Sequence, residues 1–242
     1  MKRKTRLVMT SSEKTFEDNL PKWMWLWLPI ILVLILLVTG LVLPGQVYSD
    51  WIGNERTGIL ETSHAIIPAI SFLLALRIIF HPKVPTFSFL WFWILLAALG
   101  SFYMSGEEAS WGQHWFQWDT SDEWSKINDQ GETNFHNTSS WLDQKPRTIL
   151  EIGIILGGII LPFIFLRKPS LRNHPYAIIV PTLVLLPTAI IAETTRMTER
   201  LFAALDVPFR FFQRASEVQE LFFALFVLYY LIMILKRVKR LN

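Results

Sequence analysis

The sequence predicts an all-α fold, a bundle of about six membrane-spanning helices with a polar cap between the third and fourth. Of its 242 residues, 52% are hydrophobic, and they fall in long runs instead of at the spacing of amphipathic elements. A run of about 18 or more apolar residues is typical of a transmembrane helix. Turn-forming residues interrupt the runs, at Pro44-Gly45, His81-Pro82 and Pro169. These two observations together predict a multipass membrane protein.

Six apolar runs are each long enough to cross a hydrocarbon core of about 30 Å at about 1.5 Å per helical residue. They cover residues 23–43, 59–80, 87–104, 149–166, 176–192 and 218–235. The first run is too long for a signal-peptide core, and no small-residue cleavage site follows it. We therefore predict an uncleaved chain, with a cytoplasmic tail at residues 1–22 and a single membrane domain at residues 23–242.

The charged residues orient the bundle. With the amino terminus inside, the inner segments hold 15 of the 23 Lys and Arg residues but only 3 of the 20 Asp and Glu residues. This distribution follows the positive-inside rule and predicts that both termini are cytoplasmic. It also explains the net charge of +3, so no nucleic-acid partner is expected.

The outer segment at residues 105–148 is long and rich in tryptophan and polar residues, which predicts a folded cap in which the tryptophan rings pack at least in part. We expect the third helix to continue outward through Trp111. Residues 196–212 mix arginine with leucine and phenylalanine and predict a separate amphipathic helix in the membrane interface. The chain contains no cysteine, which excludes disulfides, thiolate metal sites and a cysteine nucleophile.

Carboxylates lie at or near the outer ends of the last five spans, where insertion into the membrane costs least. Glu61 and His64 have the Glu-x-x-His spacing that binds metals in some helical bundles, although a lone histidine of this kind is more often a hydrogen-bonded core residue. Glu151, Glu217 and Glu220 are expected to lie at the headgroup level, where the amino ends of helices favour negative charge.

Two strings carry the more specific signal. They read Gly106-Glu107-Glu108-Ala109-Ser110-Trp111-Gly112-Gln113-His114 and Gly131-Glu132-Thr133-Asn134-Phe135-His136-Asn137. This pair resembles a motif pair in a family of uncharacterised bacterial multipass membrane proteins, Gly-Glu-Glu-Ile-Ser-Trp-Gly-Gln and Gly-Glu-x-Asn-Leu-His-Asn. The resemblance covers about a third of the chain and implies a bacterial cytoplasmic (inner) membrane. The chain departs from the pattern at Ala109, where a larger aliphatic residue is expected, and at His114, where arginine is expected, so His136 becomes the preferred histidine ligand.

These residues predict one polar site at the outer membrane surface. We expect Glu107, Glu108 and His136 to be catalytic, and Glu61, His64, Glu108 and His136 to be candidate ligands of a divalent metal such as Zn or Mn. The expected binding residues are Trp111, Gln113, Glu132, Asn134, Asn137, Glu193 and Arg196. The sequence lacks a phosphate-binding glycine loop, a Gly-x-Ser-x-Gly elbow and a His-Glu-x-x-His zinc helix.

Three functions stay open at this point. The first is an enzyme, a hydrolase or transferase acting on a membrane lipid or lipid-linked substrate. The second is a non-catalytic assembly protein whose cap binds a membrane-protein partner, and the third is a proton- or cation-coupled carrier. The absence of evident inverted repeats or broken helices disfavours the carrier. Convergence of the glutamates on a cavity would favour the enzyme, whereas pairing with Arg147, Arg196 or Arg200 would favour a structural ion network.

Overall fold

The computed structural model describes residues 20–128, 130–208 and 211–241, without the side chains of His136, Ser140, Leu142 and Asp143. In these ranges all regular secondary structure is helical, and six helices are long and apolar enough to cross a membrane. The predicted all-α multipass fold is therefore confirmed. The predicted tail at residues 1–22 lies almost entirely outside the described residues.

Nine α-helices longer than four residues follow one another in the described ranges. They are α1 (Trp23–Val42), α2 (Gly45–Trp51), α3 (Ile59–Ile79), α4 (Phe89–Glu108), α5 (Asp122–Ile127), α6 (Ser140–Ile154), α7 (Leu161–Arg167), α8 (Leu186–Ala204) and α9 (Ala215–Arg240). A wider π-helical stretch, Ile155–Ile160, joins α6 to α7, so that α6 and α7 together form the fourth span. The spans are thus α1, α3, α4, α6 with α7, the segment that ends in α8, and α9.

Helix α9 forms the centre of the bundle. In its most apolar window 83% of the residues are buried, against 17–39% for the other five spans. Phe222, Phe223, Tyr229 and Met233 are at most 1% exposed. Helices α3 and α8 pack directly against α9, and α4 packs against α3. The sixth span therefore determines where the side chains of its neighbours meet.

The fifth span is interrupted in the half that precedes α8. Its chain forms a short 3-10 turn at Pro175–Ile179, runs extended through Pro181, and forms a second 3-10 turn at Leu183–Leu185. Carbonyl groups freed by such a break need donors, because water is scarce in the membrane interior. The fully buried Arg237 guanidinium supplies them, with Nη1 lying 2.7 Å from the Ile178 oxygen and 2.8 Å from the Val180 oxygen. The expectation of unbroken spans was therefore wrong.

Two further sequence predictions are corrected at the opposite end of the bundle, where α9 begins. Helix α4 does not continue through Trp111 but ends at Glu108, since Ser110 and Trp111 adopt positive φ values of 44° and 54°. No separate helix covers the described part of residues 196–212, because α8 continues to Ala204. In this part of α8, Arg200 forms an ion pair with Glu151 of α6 at 2.7 Å. Because its charged side chains are paired in this way, the helix can extend beyond the apolar layer.

Candidate metal centre

Five titratable side chains meet at one end of the bundle, and we name them the carboxylate cluster: Glu61, His64, Glu108, Glu217 and Glu220. Glu61 lies in the first turn of α3 and His64 one turn further along the same helix. Glu108 is the last residue of α4, while Glu217 and Glu220 occupy the start of α9. Because α3 packs against both α4 and α9, the amino ends of α3 and α9 meet the carboxyl end of α4 and bring the five groups together.

His64 is the centre of the cluster and is only 1% exposed. Its Nε2 lies 3.0 Å from the backbone oxygen of Glu217. A carbonyl oxygen only accepts, so Nε2 carries the hydrogen, and Nδ1 of the neutral ring presents a lone pair. That Nδ1 atom has no hydrogen-bond partner among the described residues. The hydrogen bond at Nε2 therefore fixes the position of the His64 ring, and its Nδ1 atom can serve as a metal ligand.

The Nδ1 lone pair points into a group of carboxylates. Its distances are 3.6 Å to Oε2 of Glu108, 3.6 Å to Oε2 of Glu217 and 3.9 Å to Oε2 of Glu220. These separations are too long for hydrogen bonds. They suit atoms that share a cation, because metal–ligand bonds of about 2.1 Å place neighbouring ligand atoms roughly 3–4 Å apart. Two overlapping triplets, Glu61–His64–Glu108 and His64–Glu217–Glu220, have all ligand atoms within 4.8 Å.

Nearby arginines compensate only part of the negative charge. Arg147 forms an ion pair with Glu220, and Arg214 lies 3.3 Å from Glu217 and 3.2 Å from Glu55. Among the ion pairs of the described residues, the four carboxylates of the cluster therefore have two guanidinium partners, one of which is shared with Glu55 outside the cluster. Adjacent buried carboxylates require a metal or a proton to offset their repulsion.

A cavity of about 850 Å³ opens beside the cluster. Glu61, Glu108, Glu217 and Glu220 line one end of it, with Arg147. The remainder is bounded mainly by apolar residues of α4, the fourth span and α9. They include Leu96, Ala97, Ile154, Phe223 and Val227. A ligand in this space would place one end against the polar groups and the other in an apolar channel.

Three hydrogen-bonded residues line the cavity at the end away from the cluster, and we name them the floor. Trp93 Nε1 donates to the Tyr230 hydroxyl at 2.7 Å, and that hydroxyl donates to the Ile179 oxygen at 2.7 Å. All three residues line the cavity, together with Pro181 of the broken fifth span. Since these polar atoms satisfy one another, the floor presents the aromatic rings without an unpaired donor.

Apart from Glu108, the described side chains of the two motif strings contact each other in the cap. The carboxylate of Glu132 accepts from Ser110 Oγ at 2.8 Å, from Asn134 Nδ2 at 3.0 Å, from His114 Nε2 at 3.0 Å and from Arg56 Nε at 3.2 Å. Burial alone would raise its pKa, but the bonds from His114, Ser110 and Arg56 outweigh burial and hold the pKa of the Glu132 carboxyl below its ordinary value of 4.5. We name these five residues the cap network.

The cap network resembles a Ser-His-Glu triad only in composition. A triad histidine uses one ring nitrogen toward the serine and the other toward the acid. Here Nε2 of His114 lies 3.0 Å from both Ser110 Oγ and Glu132 Oε1, and the serine hydroxyl donates to Glu132 directly. The serine is therefore not activated as a nucleophile, and the network has a structural role.

Glu107 belongs to the cap and not to the carboxylate cluster. It is 2% exposed, and its carboxylate accepts from Trp111 Nε1 at 2.8 Å and from the Phe135 backbone N–H at 2.7 Å. These bonds turn the chain back after α4. Gly106 permits the turn, because an added Cβ would approach the Trp111 ring to 2.6 Å. Of the adjacent predicted pair, only Glu108 lies at the His64 nitrogen.

The remaining predicted site residues lie in the cap or on α8, except that the side chain of His136 is outside the described residues. Gln113 binds Thr133 and Thr120, Asn137 binds Gln130, and Trp111 packs against Phe102 at 5.5 Å. These contacts support the expected packing of the cap, although Trp115 and Trp141 are 55% and 64% exposed.

Glu193 and Arg196 lie on α8. Arg196 pairs with Glu199, while Glu193 is an electrostatic neighbour of the Glu151–Arg200 pair. The side chain of His136 lies outside the described residues, so its predicted catalytic and ligand roles stay predictions.

Sequence reasoning missed Glu217 and Glu220 as members of the cluster: both lie at the start of α9, as expected, but they also face His64. A usable signal was present, since Glu217-x-x-Glu220 repeats the spacing of Glu61-x-x-His64 and places both side chains on one helix face. The ion-network alternative holds only in part. Arg200 pairs with Glu151, but Glu220 pairs with Arg147 and still faces His64.

No protein-family model, no curated protein and no solved structure matches this chain. The arguments for function therefore come from the geometry of the carboxylate cluster and its cavity.

Proposed function

We propose that this chain is a metal-dependent membrane enzyme, a hydrolase or transferase that acts on a membrane lipid or lipid-linked substrate. The observation that carries the proposal is the buried Nδ1 atom of His64, which has no hydrogen-bond partner among the described residues and faces three carboxylates at 3.6–3.9 Å. Imidazole together with carboxylate oxygen favours Zn or Mn over Mg or Ca.

A bound divalent cation supplies a Lewis acid and lowers the pKa of coordinated water to about 7. In this site His64 and Glu108 would hold the cation, with further oxygen ligands from Glu61, Glu217 or Glu220. A carboxylate left outside the coordination sphere is placed to take a proton from a reacting water. Glu107 then has a different role from the one expected, because it holds the cap over the site.

The cavity supports a lipid as the substrate. Its polar end adjoins the cluster and its long apolar part lies within the helical bundle, which suits a molecule with a polar head and a hydrocarbon tail. We propose that the cluster end faces the outside of a bacterial inner membrane and that both termini are cytoplasmic. The charge distribution supports this orientation, because the acidic residues concentrate at the cluster end and basic residues at the end of α9.

Metal analysis of the purified full chain tests the proposal. After purification without chelators and incubation with Zn or Mn, we expect about one ion per chain for the cluster as a mononuclear site. His64→Ala and Glu108→Gln should lose the ion, whereas His81→Ala, a histidine at the opposite end of the bundle, and Glu123→Gln, on the exposed α5, should retain it. If the chain binds neither metal, the proposal is refuted. Protonated His64 would then be the cation that offsets the charge of the carboxylates.

Turnover is tested separately. The reconstituted chain is incubated with bacterial lipid extract, and released headgroups or acyl chains are measured by mass spectrometry. We expect products that require metal and that disappear in Glu108→Gln. Glu220→Gln should also impair turnover, because Oε2 of Glu220 lies 3.9 Å from His64 Nδ1. Metal binding without turnover on any lipid would favour the assembly-protein hypothesis.

A cation-coupled carrier is the second candidate, and the break in the fifth span at Val180–Thr182 favours it, since interrupted helices are common in carriers. Proteoliposomes with an internal pH dye distinguish the two functions. A carrier would move protons when a Zn or Mn gradient is imposed, whereas the enzyme would not.

A further inference from the structure

The apolar part of the cavity has the depth of one lipid chain. Glu217 at its polar end and Tyr230 at its floor lie 13 residues apart on the continuous helix α9, which corresponds to about 20 Å. One leaflet of a bilayer contributes about 15 Å of hydrocarbon. The difference of about 5 Å leaves room for the headgroup linkage beside the cluster, so an acyl chain of about one leaflet depth ends at Tyr230.

From this match we infer that the channel binds a single acyl chain of a leaflet phospholipid, with its end against the Trp93–Tyr230 floor. The inference rests on the proposed function, since it places the headgroup linkage of that phospholipid at the carboxylate cluster. A longer polyprenyl chain is disfavoured because the floor residue Tyr230 lies only about one leaflet depth from Glu217 along α9. The aromatic floor thus limits the length of the chain that fits.

A side opening provides a route for entry. In the described part of the chain, the third and fourth spans make few contacts with each other, while each packs against other helices of the bundle. Leu96 of α4 and Leu156 of the fourth span line the cavity and are nonetheless 64% and 50% exposed. A chain can therefore move into the channel laterally from the leaflet, without leaving the hydrocarbon layer.

Glycines line the channel where larger residues would fill it. Gly100 of α4 and Gly153 of α6 both line the cavity, and a Cβ added at either would meet no atom within 4 Å. The space beside them is therefore open, so a side chain placed there displaces the ligand and not the protein. Glycine is also a poor helix former, so these substitutions do not cost helix stability.

Photolabelling of the full chain in vesicles tests the inference. The probe is phosphatidylethanolamine with a diazirine at the end of one acyl chain, and the labelled peptides are identified by mass spectrometry. In the unmodified protein we expect labelling at Trp93 and Tyr230. In Gly100→Phe and Gly153→Phe this labelling should fall by about tenfold, as expected when a side chain occupies a ligand's space.

Neighbouring positions provide matched controls. Leu99 and Ile152 precede the two glycines, do not line the cavity, and are 56% and 51% exposed. In the Leu99→Phe and Ile152→Phe variants, the probe should therefore label Trp93 and Tyr230 as strongly as in the unmodified protein. Labelling confined to outward residues such as Leu73, or floor labelling that the two glycine substitutions leave unchanged, overturns the inference. A polyprenyl phosphate probe that labels the floor as strongly as the phospholipid also overturns it.

Metal content measured on the same samples separates this inference from the proposed function. Metal binding without floor labelling rejects the acyl-chain site and leaves the metal centre standing. Floor labelling in a chain that binds no metal supports the acyl-chain site and rejects metal-dependent catalysis. Gly100→Leu and Gly153→Leu, with smaller side chains, provide a second pair if a phenylalanine variant does not elute as a monodisperse protein.

Discussion

Replacement of Glu132 by glutamine should open the cap without unfolding the bundle. The carboxylate accepts four hydrogen bonds, two at each oxygen, from Ser110, Asn134, His114 and Arg56. An amide group replaces one oxygen with a donor and so removes two of the four bonds. Hydrogen bonds to charged groups contribute about 1.5–3 kcal/mol each, so the loss is about 3 kcal/mol at the least. The opening equilibrium should then rise by roughly a hundredfold.

Hydrogen exchange measured by mass spectrometry is the assay, because it reports local opening separately from global unfolding. Amides of residues 110–137 should lose protection in Glu132→Gln, while those of α9 should keep it. Glu123→Gln is the control, since Glu123 lies on α5 in the same cap and is exposed. Unchanged exchange in the cap, or an equal loss of protection throughout the bundle, would refute the structural role of the cap network.

Three other outcomes are expected. Because the pKa of Glu132 is held below 4.5, its stabilisation of the cap is complete above that pH and is lost as the pH falls through the lowered pKa. The protection of cap amides, relative to unstructured peptide at the same pH, should therefore fall only in acid; a fall near neutral pH would contradict this. Arg237→Ala should destabilise the detergent-solubilised protein by about 3 kcal/mol or more, because buried carbonyls lose a charged donor, whereas Lys239→Ala should have little effect on the melting temperature. Single cysteines at Lys126 and Lys168, in a chain without native cysteine, should react with an impermeant maleimide from opposite sides of the membrane, and labelling from one side would refute the topology.

The sequence by itself determined the spans and the level of the polar groups. A run of about 20 apolar residues has one stable arrangement in a bilayer, and carboxylates are excluded from its centre by their desolvation cost. Glu61 and Glu108 were therefore placed at span ends from sequence alone, and the helical period put His64 on the same face as Glu61. These inferences depend on local length and spacing, which the sequence records directly.

Tertiary structure decided which of the many end-of-span carboxylates meet. Glu107 and Glu108 are adjacent residues of the same type, so the sequence does not distinguish them. In the structure, the Glu107 carboxylate accepts hydrogen bonds from Trp111 and Phe135, whereas the Glu108 carboxylate faces His64. Glu217 and Glu220 join the cluster because α9 occupies the centre of the bundle. The fifth span breaks where Arg237, 57 residues away from Val180 in sequence, replaces the lost helical donors. Such choices depend on the packing of helices distant along the chain, and no local pattern encodes them.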